Sequence, residues 1–360
     1  MGNITETSNA INTDKKLEKE NQNLKNEILY YKKIVTRMED MKMYKYVKNN
    51  SLDNIIKNKK SYDYENLVFE GGGSKGACYA GACEQLEKLK ILKKIKRFAG
   101  SSVGSLIATV LAIGYSASEV KELIMTTDFG ELIKSNYILD TICLVEDFGM
   151  ISGRKLSELV GHLIEKKKRK ADYTFKELFD DDGIVLVITS TNINELRTDY
   201  FYHVNHPDMP IKEAVRMSVS IPYLFEPVKM FGSYYVDGGV LDNYPIHVFD
   251  GEFPGDKNAK LNLVPPNPKT LGIKIFTPDE EEDYQAHKRE KINSVISFSE
   301  ALIDTLLISA TRKYMRPGYW LRSIVIKTPA IPLTKFSLTK EQKNTLYKNG
   351  IDGTNKFFNK

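Results

Sequence analysis

The side chain best placed for covalent chemistry lies in the sequence Gly-Ser-Ser-Val-Gly at 100–104. This is a G-x-S-x-G pattern between a predicted short strand and a predicted helix, the context in which a sharp turn raises a serine above a sheet. The helix N-terminus beside it favours negative charge. Ser102 is therefore predicted to be a nucleophile, and it needs a base to accept its hydroxyl proton.

The identity of that base is left open by the residues alone. An α/β-hydrolase carries its nucleophile, acid and histidine in that order along the chain, and Ser102, Asp237 and His247 formally follow it. However, Asp237 and His247 are separated by only nine residues, which include an Asp-Gly-Gly turn and an Asn-Tyr-Pro turn. His247 is therefore a weak candidate for the base that activates Ser102.

A glycine-rich loop, Gly-Gly-Gly-Ser-Lys-Gly at 71–76, follows an apolar strand and opens a helix. Its backbone N–H groups can converge on an anion beside the helix N-terminus. The loop also satisfies the G-x-G-x-x-G pattern of dinucleotide sites, but the acidic residue expected about 20 residues later to hold a ribose is missing, since 90–98 offers only apolar and basic side chains. Lys75 does not complete a phosphate-binding Walker A loop either, because its spacing is wrong.

Three of these sequences occur in order: the glycine loop at 71–76, Gly-Ser-Ser-Val-Gly at 100–104 and Asp-Gly-Gly at 237–239. The stretch 214–222, with Phe225 and Pro227 after it, adds a fourth match. Together they resemble the patatin-like phospholipase family over about 67–248, roughly half of the chain.

The resemblance implies a catalytic dyad of Ser102 and Asp237 without a catalytic histidine. It also implies an oxyanion hole built from the backbone of Gly71, Gly72 and Gly73. Losing one such donor typically costs about 100- to 1,000-fold in turnover. Lys75 occupies the family's usual basic position, where it would either attract a lipid phosphate or order the loop, and no metal or organic cofactor is implied.

The activity implied by the resemblance is lipid acyl hydrolysis of the phospholipase A or lysophospholipase type. The substrate would be a phospholipid or another acyl-ester lipid, reached by transient contact with a membrane surface. Two alternatives remain: an acyltransferase that uses the same dyad, and a catalytically silent lipid-binding or scaffolding protein. The presence of both Ser102 and Asp237 argues against the silent protein.

The fold class predicted beyond Ser61 is α/β, because short apolar runs alternate with helical patterns. The predicted strands cover 67–69, 98–99, 184–189, 198–203, 228–230, 234–236 and 271–276. The predicted helices cover 77–92, 103–113, 153–165, 211–219 and about 289–311. The resemblance implies a three-layer α/β/α domain with a central, mostly parallel sheet. We assign 61–250 to this catalytic domain and 251–360 to a C-terminal extension packed on it.

The first sixty residues differ in composition from the rest. They contain 13 Lys and Arg against 8 Asp and Glu, so the whole formal net charge of +5 lies in this segment. Apolar residues follow a heptad pattern over 17–38, typical of a short coiled coil. Residues 1–60 are therefore predicted to form a helical extension that mediates homo-oligomerisation through 17–38, or else a single amphipathic helix docked on the body. Disorder is the third alternative for this segment. No motif here resembles a DNA-reading element, and no nucleic-acid partner is predicted.

Composition places the chain among globular proteins, since 41% of its 360 residues are hydrophobic and 28% are charged. The longest nearly apolar run, 106–113, is far shorter than the roughly 18 residues that a membrane-spanning helix needs. The N-terminus lacks the apolar core of a signal peptide, and the three cysteines show no metal-type pairing. A cytoplasmic location with peripheral contact at membranes is therefore expected.

Overall fold

The computed structural model describes residues 61–132, 147–168, 170–251, 264–277, 292, 295–332 and 335–358. These residues belong to one compact unit. The coiled coil predicted at 17–38 lies outside the described residues.

Within the described residues, eight strands form a central sheet with the order β10-β9-β1-β2-β4-β8-β7, and β5 pairs with β4. Their bounds are β1 Asn66–Phe69, β2 Arg97–Gly100, β4 Val185–Asn192, β5 Arg197–Phe201, β7 Val228–Met230, β8 Ser233–Asp237, β9 Thr270–Phe276 and β10 Ser323–Lys327. The five strands from β10 to β4 are parallel, and β5, β7 and β8 pair in antiparallel register. A second, two-stranded parallel sheet pairs β3 (Gly149–Ile151) with β6 (Tyr223–Phe225).

The helices are α1 Tyr79–Lys88, α2 Val103–Ala112, α3 Ala117–Thr126, α4 Phe129–Leu132, α5 Arg154–Lys168, α6 Phe175–Asp182, α7 Ile211–Ser218, α8 Gly239–Asp242, α9 Val295–Tyr314, α10 Pro317–Trp320 and α11 Lys340–Phe357. Three 3₁₀ turns, Gly73–Cys78, Leu92–Lys94 and Ile246–Phe249, add to these elements in the described residues. Helices α3, α6 and α11 each begin with a capping box, in which side chain and backbone satisfy each other's donors at the N-terminus.

The central sheet is buried on both faces, which explains its nearly continuous apolar strands. In β1, Leu67 and Phe69 join the core beneath α1, α2, α7 and α11, while Val68 between them joins a second core on the opposite face. The second core includes the 3₁₀ turn Ile246–Phe249 and Tyr319 of α10. The result is the three-layer α/β/α arrangement that the sequence resemblance implied.

The segment predicted as an extension packed on the sheet supplies two of its strands. β9 lies directly beside β1 and β10 lies beside β9, both in parallel register. Arg322, just before β10, forms a buried ion pair with Asp250, with 2.7 Å between the Nη1 and Oδ1 atoms. One sheet therefore spans the boundary predicted between 250 and 251.

Candidate active site

The turn that carries Ser102 is sharp and strained. β2 ends at Gly100 and α2 begins at Val103, so only Ser101 and Ser102 connect them. Ser102 has a φ of 50°, a conformation that costs a residue with a side chain about 1–3 kcal/mol. The turn can close because a Cβ on Gly100 would lie 2.3 Å from the carbonyl oxygen of Gly104, so only glycine fits there.

Asp237 meets Ser102 from the end of β8. The Ser102 hydroxyl donates a hydrogen bond to the Oδ2 atom of Asp237 over 2.6 Å. The Oδ1 atom of the same carboxylate accepts the backbone N–H of Gly239 at 2.7 Å. Both side chains are buried, with 6% of Ser102 and 1% of Asp237 exposed. The structure therefore places a serine hydroxyl directly on a desolvated carboxylate.

Burial changes the acidity of that carboxylate. Desolvation raises the pKa of Asp237 to about 7, although the hydrogen bonds from Ser102 and Gly239 oppose the rise. A base is most effective when its pKa lies near the working pH. Asp237 can accordingly accept the proton of Ser102 near neutral pH.

A short segment that begins at the last residue of α7 holds both residues by their backbones. The amide of Ser102 donates to the Oγ atom of Ser218 at 2.9 Å. The amide of Asp237 donates to the carbonyl of Ser220 at 2.8 Å, and that of Gly238 donates to the carbonyl of Ser218 at 3.2 Å. The nucleophile and the acid are thus bonded to the same three-residue stretch.

The glycine loop lies against Ser102. A Cβ on Gly71 would be 2.8 Å from the Cβ of Ser102 and 2.3 Å from Oδ1 of Asn243. Asn243 fixes the loop from α8, because its carbonyl accepts the amide of Gly71 at 2.9 Å and its Nδ2 group donates to the carbonyl of Gly71 at 3.2 Å.

The amide of Gly71 therefore already donates a hydrogen bond to Asn243. Of the three amides in the predicted oxyanion hole, this one is not available to a substrate. Across the part of the chain that the structure describes, no acceptor is found for the amides of Gly72 and Gly73. These two N–H groups are the donors of the glycine loop that remain available to bind a substrate oxygen.

Two charged residues at the glycine loop, Glu70 before it and Lys75 within it, are buried. Glu70 directs its carboxylate into β9, where Oε1 lies 3.0 Å from Nζ of Lys274 and Oε2 accepts the amide of Ile275 at 2.7 Å. The Glu70 carboxylate is therefore held against β9. Lys75 is buried in the 3₁₀ turn with 9% exposed, a position that suits ordering of the loop more than contact with a solvent-borne headgroup.

His247 is not assembled into a triad. It is buried, and its Nε2 atom lies 3.2 Å from the hydroxyl of Tyr200 and 3.5 Å from Oδ2 of Asp242. Within the described residues, no hydrogen bond connects it with Ser102 or Asp237. Although Ser102, Asp237 and His247 follow the hydrolase order along the sequence, their side chains do not form a hydrogen-bonded triad.

The cysteines and possible metal ligands are the other side chains that could take part in chemistry. Cys78 and Cys83 are buried free thiols, and desolvation raises the pKa of Cys83 to about 12, as expected for packed rather than reactive cysteines. No group of three or more His, Cys, Asp or Glu side chains is arranged to hold a metal ion in the described ranges.

The sequence did not reveal Ser218, Ser220 or Asn243 as parts of this site. The first two lie in the stretch 214–222 that carried part of the resemblance, and Asn243 lies in the Asn-Tyr-Pro turn. Their signal was proximity to recognised motifs, but nothing local indicated which backbone groups they bond.

Comparisons of sequence and structure identify proteins that are similar to this chain. The sequence profile described as patatin-like phospholipase matches residues 67–250. An uncharacterized protein of Acanthamoeba polyphaga mimivirus is 35% identical over 289 residues, covering 80% of this chain and 91% of its own. A "probable lipid hydrolase" of Invertebrate iridescent virus 6 is 33% identical over 189 residues, covering 51% of this chain and 63% of its own.

Among solved structures, VipD from Legionella pneumophila is similar with a TM-score of 0.53 and 18% sequence identity. The match covers 82% of this chain and 67% of VipD, and it shows a shared fold. The α/β/α fold and the profile match define a class of lipid acyl hydrolases. This chain belongs to the patatin-like phospholipase family, and it is accordingly a hydrolase. The dinucleotide interpretation of the glycine loop is thereby set aside.

No helix among the described residues is long and apolar enough to cross a membrane.

Proposed function

We propose that this protein hydrolyses carboxylic esters of phospholipids, as a phospholipase A or lysophospholipase, through an acyl-serine intermediate on Ser102. The observation that carries the proposal is the 2.6 Å hydrogen bond from the Ser102 hydroxyl to a buried carboxylate whose pKa is raised to about 7. This pair contains a nucleophile and a matched base without a histidine.

In the first half of the reaction, the Oγ atom of Ser102 attacks the ester carbonyl while Asp237 takes its proton. The tetrahedral intermediate collapses by breaking the bond to the alcohol, and Asp237 returns the proton to the departing alkoxide. The lysophospholipid or glycerophosphodiester product leaves with that proton, and the acyl group stays on Ser102.

In the second half, a water molecule attacks the acyl-enzyme and gives one proton to Asp237. The bond between Ser102 and the acyl carbon then breaks, and the proton returns to the serine. The fatty acid is released, and both residues are restored for another turnover.

The developing oxyanion needs donors that are fixed before the reaction begins. We assign this role to the amides of Gly72 and Gly73, because Gly71 donates to Asn243 instead. The two hydrogen bonds between Asn243 and Gly71 hold the loop next to Ser102 and keep those amides in position.

The lipid nature of the substrate is supported by the family and by the viral relative described as a "probable lipid hydrolase". Phospholipids reside in bilayers, so the protein would contact a membrane surface transiently during catalysis. Acyl transfer remains the second candidate because an alcohol can replace water in the second half, and the site contains the groups for either acceptor.

The test is incubation of the protein with vesicles of mixed phosphatidylcholine and phosphatidylglycerol, followed by mass spectrometry of the released lipids. Wild-type protein should release free fatty acid in at least the amount of lysophospholipid that accumulates, because lysophospholipase activity would consume the latter, and Ser102→Ala should release neither. A matched control, Thr354→Val, removes a buried hydroxyl from α11 and should leave release unchanged. Release of fatty acid by Ser102→Ala would contradict the proposal, and acylated alcohols in place of fatty acid would favour acyl transfer.

A further inference from the structure

We infer that Ser218 is a positioning residue that sets the geometry of Ser102 and Asp237, acting within a strap formed by residues 216–220. This inference rests on the proposed function of the dyad. Ser218 is assigned no contact with the substrate, so it is not a catalytic residue.

The strap joins two parts of the chain that are remote in sequence. Ser218 accepts the amide of Ser102, a residue 116 positions away, through its side-chain oxygen. Its carbonyl accepts the amide of Gly238, and the carbonyl of Ser220 accepts the amide of Asp237. Of these three hydrogen bonds, only the one to Ser102 depends on a side chain.

The hydrogen bond from the Ser102 amide to the Ser218 side chain lies at a strained point of the backbone. Ser102 has its strained φ of 50°, and both Ser102 and Ser218 are buried. A strained conformation persists only when its surroundings determine it. Without the Oγ atom of Ser218, the buried amide of Ser102 would lose its acceptor, and the turn could relax away from Asp237.

The strap is itself anchored by a buried guanidinium. Arg216, with 6% exposed, donates through Nη1 to the hydroxyl of Ser220 and through Nη2 to the carbonyls of Ser152 and Glu226. Those carbonyls follow β3 and β6. A Cβ on Gly153 would lie 2.3 Å from the Cζ atom of Arg216, so the backbone there fits closely around the guanidinium. The segments that follow β3 and β6 thus fix the position of the strap through Arg216. The strap in turn fixes the backbones of Ser102 and Asp237.

A positioning role predicts a specific kinetic signature. A displacement of about 1 Å in a catalytic group can lower the rate by about 100-fold, so Ser218→Ala should lower kcat by about 10- to 100-fold. KM for a short-chain ester should stay within about twofold, because binding of the substrate does not involve Ser218. The rate at which a fluorophosphonate probe labels Ser102 should fall by the same factor as kcat.

Two further variants make the test decisive. Thr354→Val removes a buried hydroxyl hydrogen bond within α11 that does not involve the dyad and should retain full kcat. Ser218→Cys fills the same space but offers sulfur, a weak acceptor, and should lie between Ser218→Ala and wild type. If Ser218→Ala does not fold, the Ser218→Cys variant decides the matter.

The inference is overturned if Ser218→Ala or Ser218→Cys retains wild-type kcat. It is also overturned if KM rises while probe labelling stays unchanged, because Ser218 would then act on substrate binding. Failure of the proposed function would look different: Ser102→Ala would still hydrolyse the ester, whatever Ser218 contributes.

Discussion

Among single residues, the reaction depends most on the protonation state of Asp237. Its carboxylate must be ionised to take the proton of Ser102, and burial raises its pKa to about 7. Therefore kcat/KM for a soluble ester should increase with pH through a midpoint near 7 and level off above it. A pH series with a neutral short-chain ester measures this, and a midpoint near 4 would contradict a base whose pKa is raised by burial.

The same acidity makes a prediction about stability. Because the folded-state pKa of Asp237 is raised from 3.8 to about 7, the native protein binds a proton that the unfolded chain releases between these values. The stability from this group is present below pH 4 and is lost as the pH rises through 7. The isosteric variant Asp237→Asn remains neutral at every pH and escapes this loss.

Asp237→Asn should therefore be inactive but more thermally stable than wild type at pH 8, with the difference shrinking toward pH 4. Thermal unfolding at several pH values measures the effect. The matched control is Asp208→Asn at an exposed position, which should show no such trend. A variant less stable than wild type at pH 8 would mean that the ionised carboxylate is well stabilised in the fold.

Among the elements, the glycine loop and the turn at Ser102 are the pair that must fit together. At Gly71, an added Cβ would meet both Asn243 and Ser102 at less than 3 Å, whereas at Gly72 its nearest contact is the flexible end of Ile275 at 2.6 Å. Gly71→Ala should therefore push the loop, with the amides of Gly72 and Gly73, away from Ser102 and lower kcat by at least about 100-fold, the scale of a lost oxyanion donor. Gly72→Ala should cost less, because Ile275 can move.

Steady-state kinetics of both variants on a soluble ester, with Gly161→Ala in α5 as control, measures this difference. The control adds a methyl group where the nearest atom is a lysine side-chain carbon at 3.3 Å, so activity should be retained. Equal losses at Gly71 and Gly72 would show that the loop tolerates no methyl group anywhere, and that Asn243 does not single out Gly71.

The elements that the sequence predicted well are those with a local signal. The G-x-S-x-G pattern predicted a strand, a turn and a helix around Ser102, and Val228–Met230 was predicted with its observed bounds. The sequence did not reveal which residues bond to the site, because these hydrogen bonds join residues far apart in the chain. Ser102 and Ser218 are 116 positions apart, and Gly71 and Asn243 are 172 positions apart.

Other elements escaped prediction because their pattern is unusual. β3 and β6 have three residues each, too few to show alternation. Helix α11 buries Lys343, Leu346, Gly350, Thr354 and Phe357, and only two of these five, Leu346 and Phe357, have large apolar side chains. A Cβ on Gly350 would lie 2.0 Å from the carbonyl of Cys78, which shows that α11 and α1 pack backbone against backbone.

At the scale of the whole molecule, the C-terminal strands belong to the catalytic unit. The buried Arg322–Asp250 pair joins the segment before β10 to the end of the sequence that matches the family. Removing one partner of a buried ion pair leaves an uncompensated charge and costs about 3–5 kcal/mol. Arg322→Met should therefore lower the unfolding free energy by that amount, measured by chemical denaturation.

The double variant Arg322→Met/Asp250→Asn serves as the control, because it removes both charges and should recover part of the loss. In each folded variant, probe labelling of Ser102 should remain, since neither residue bonds to the dyad. A single variant as stable as wild type would show that the pair contributes nothing to joining the two parts of the sheet.

The central claim is that the acyl group passes through Ser102 with Asp237 as its base, and trapping the intermediate tests it most directly. The protein is mixed with a short-chain p-nitrophenyl ester, quenched in acid within milliseconds and analysed by peptide mass spectrometry. We expect an acyl adduct on the peptide containing Ser102, absent in Ser102→Ala, strongly reduced in Asp237→Asn and unchanged in His247→Gln. An adduct on another residue, or full adduct formation in Asp237→Asn with loss in His247→Gln, would contradict the account.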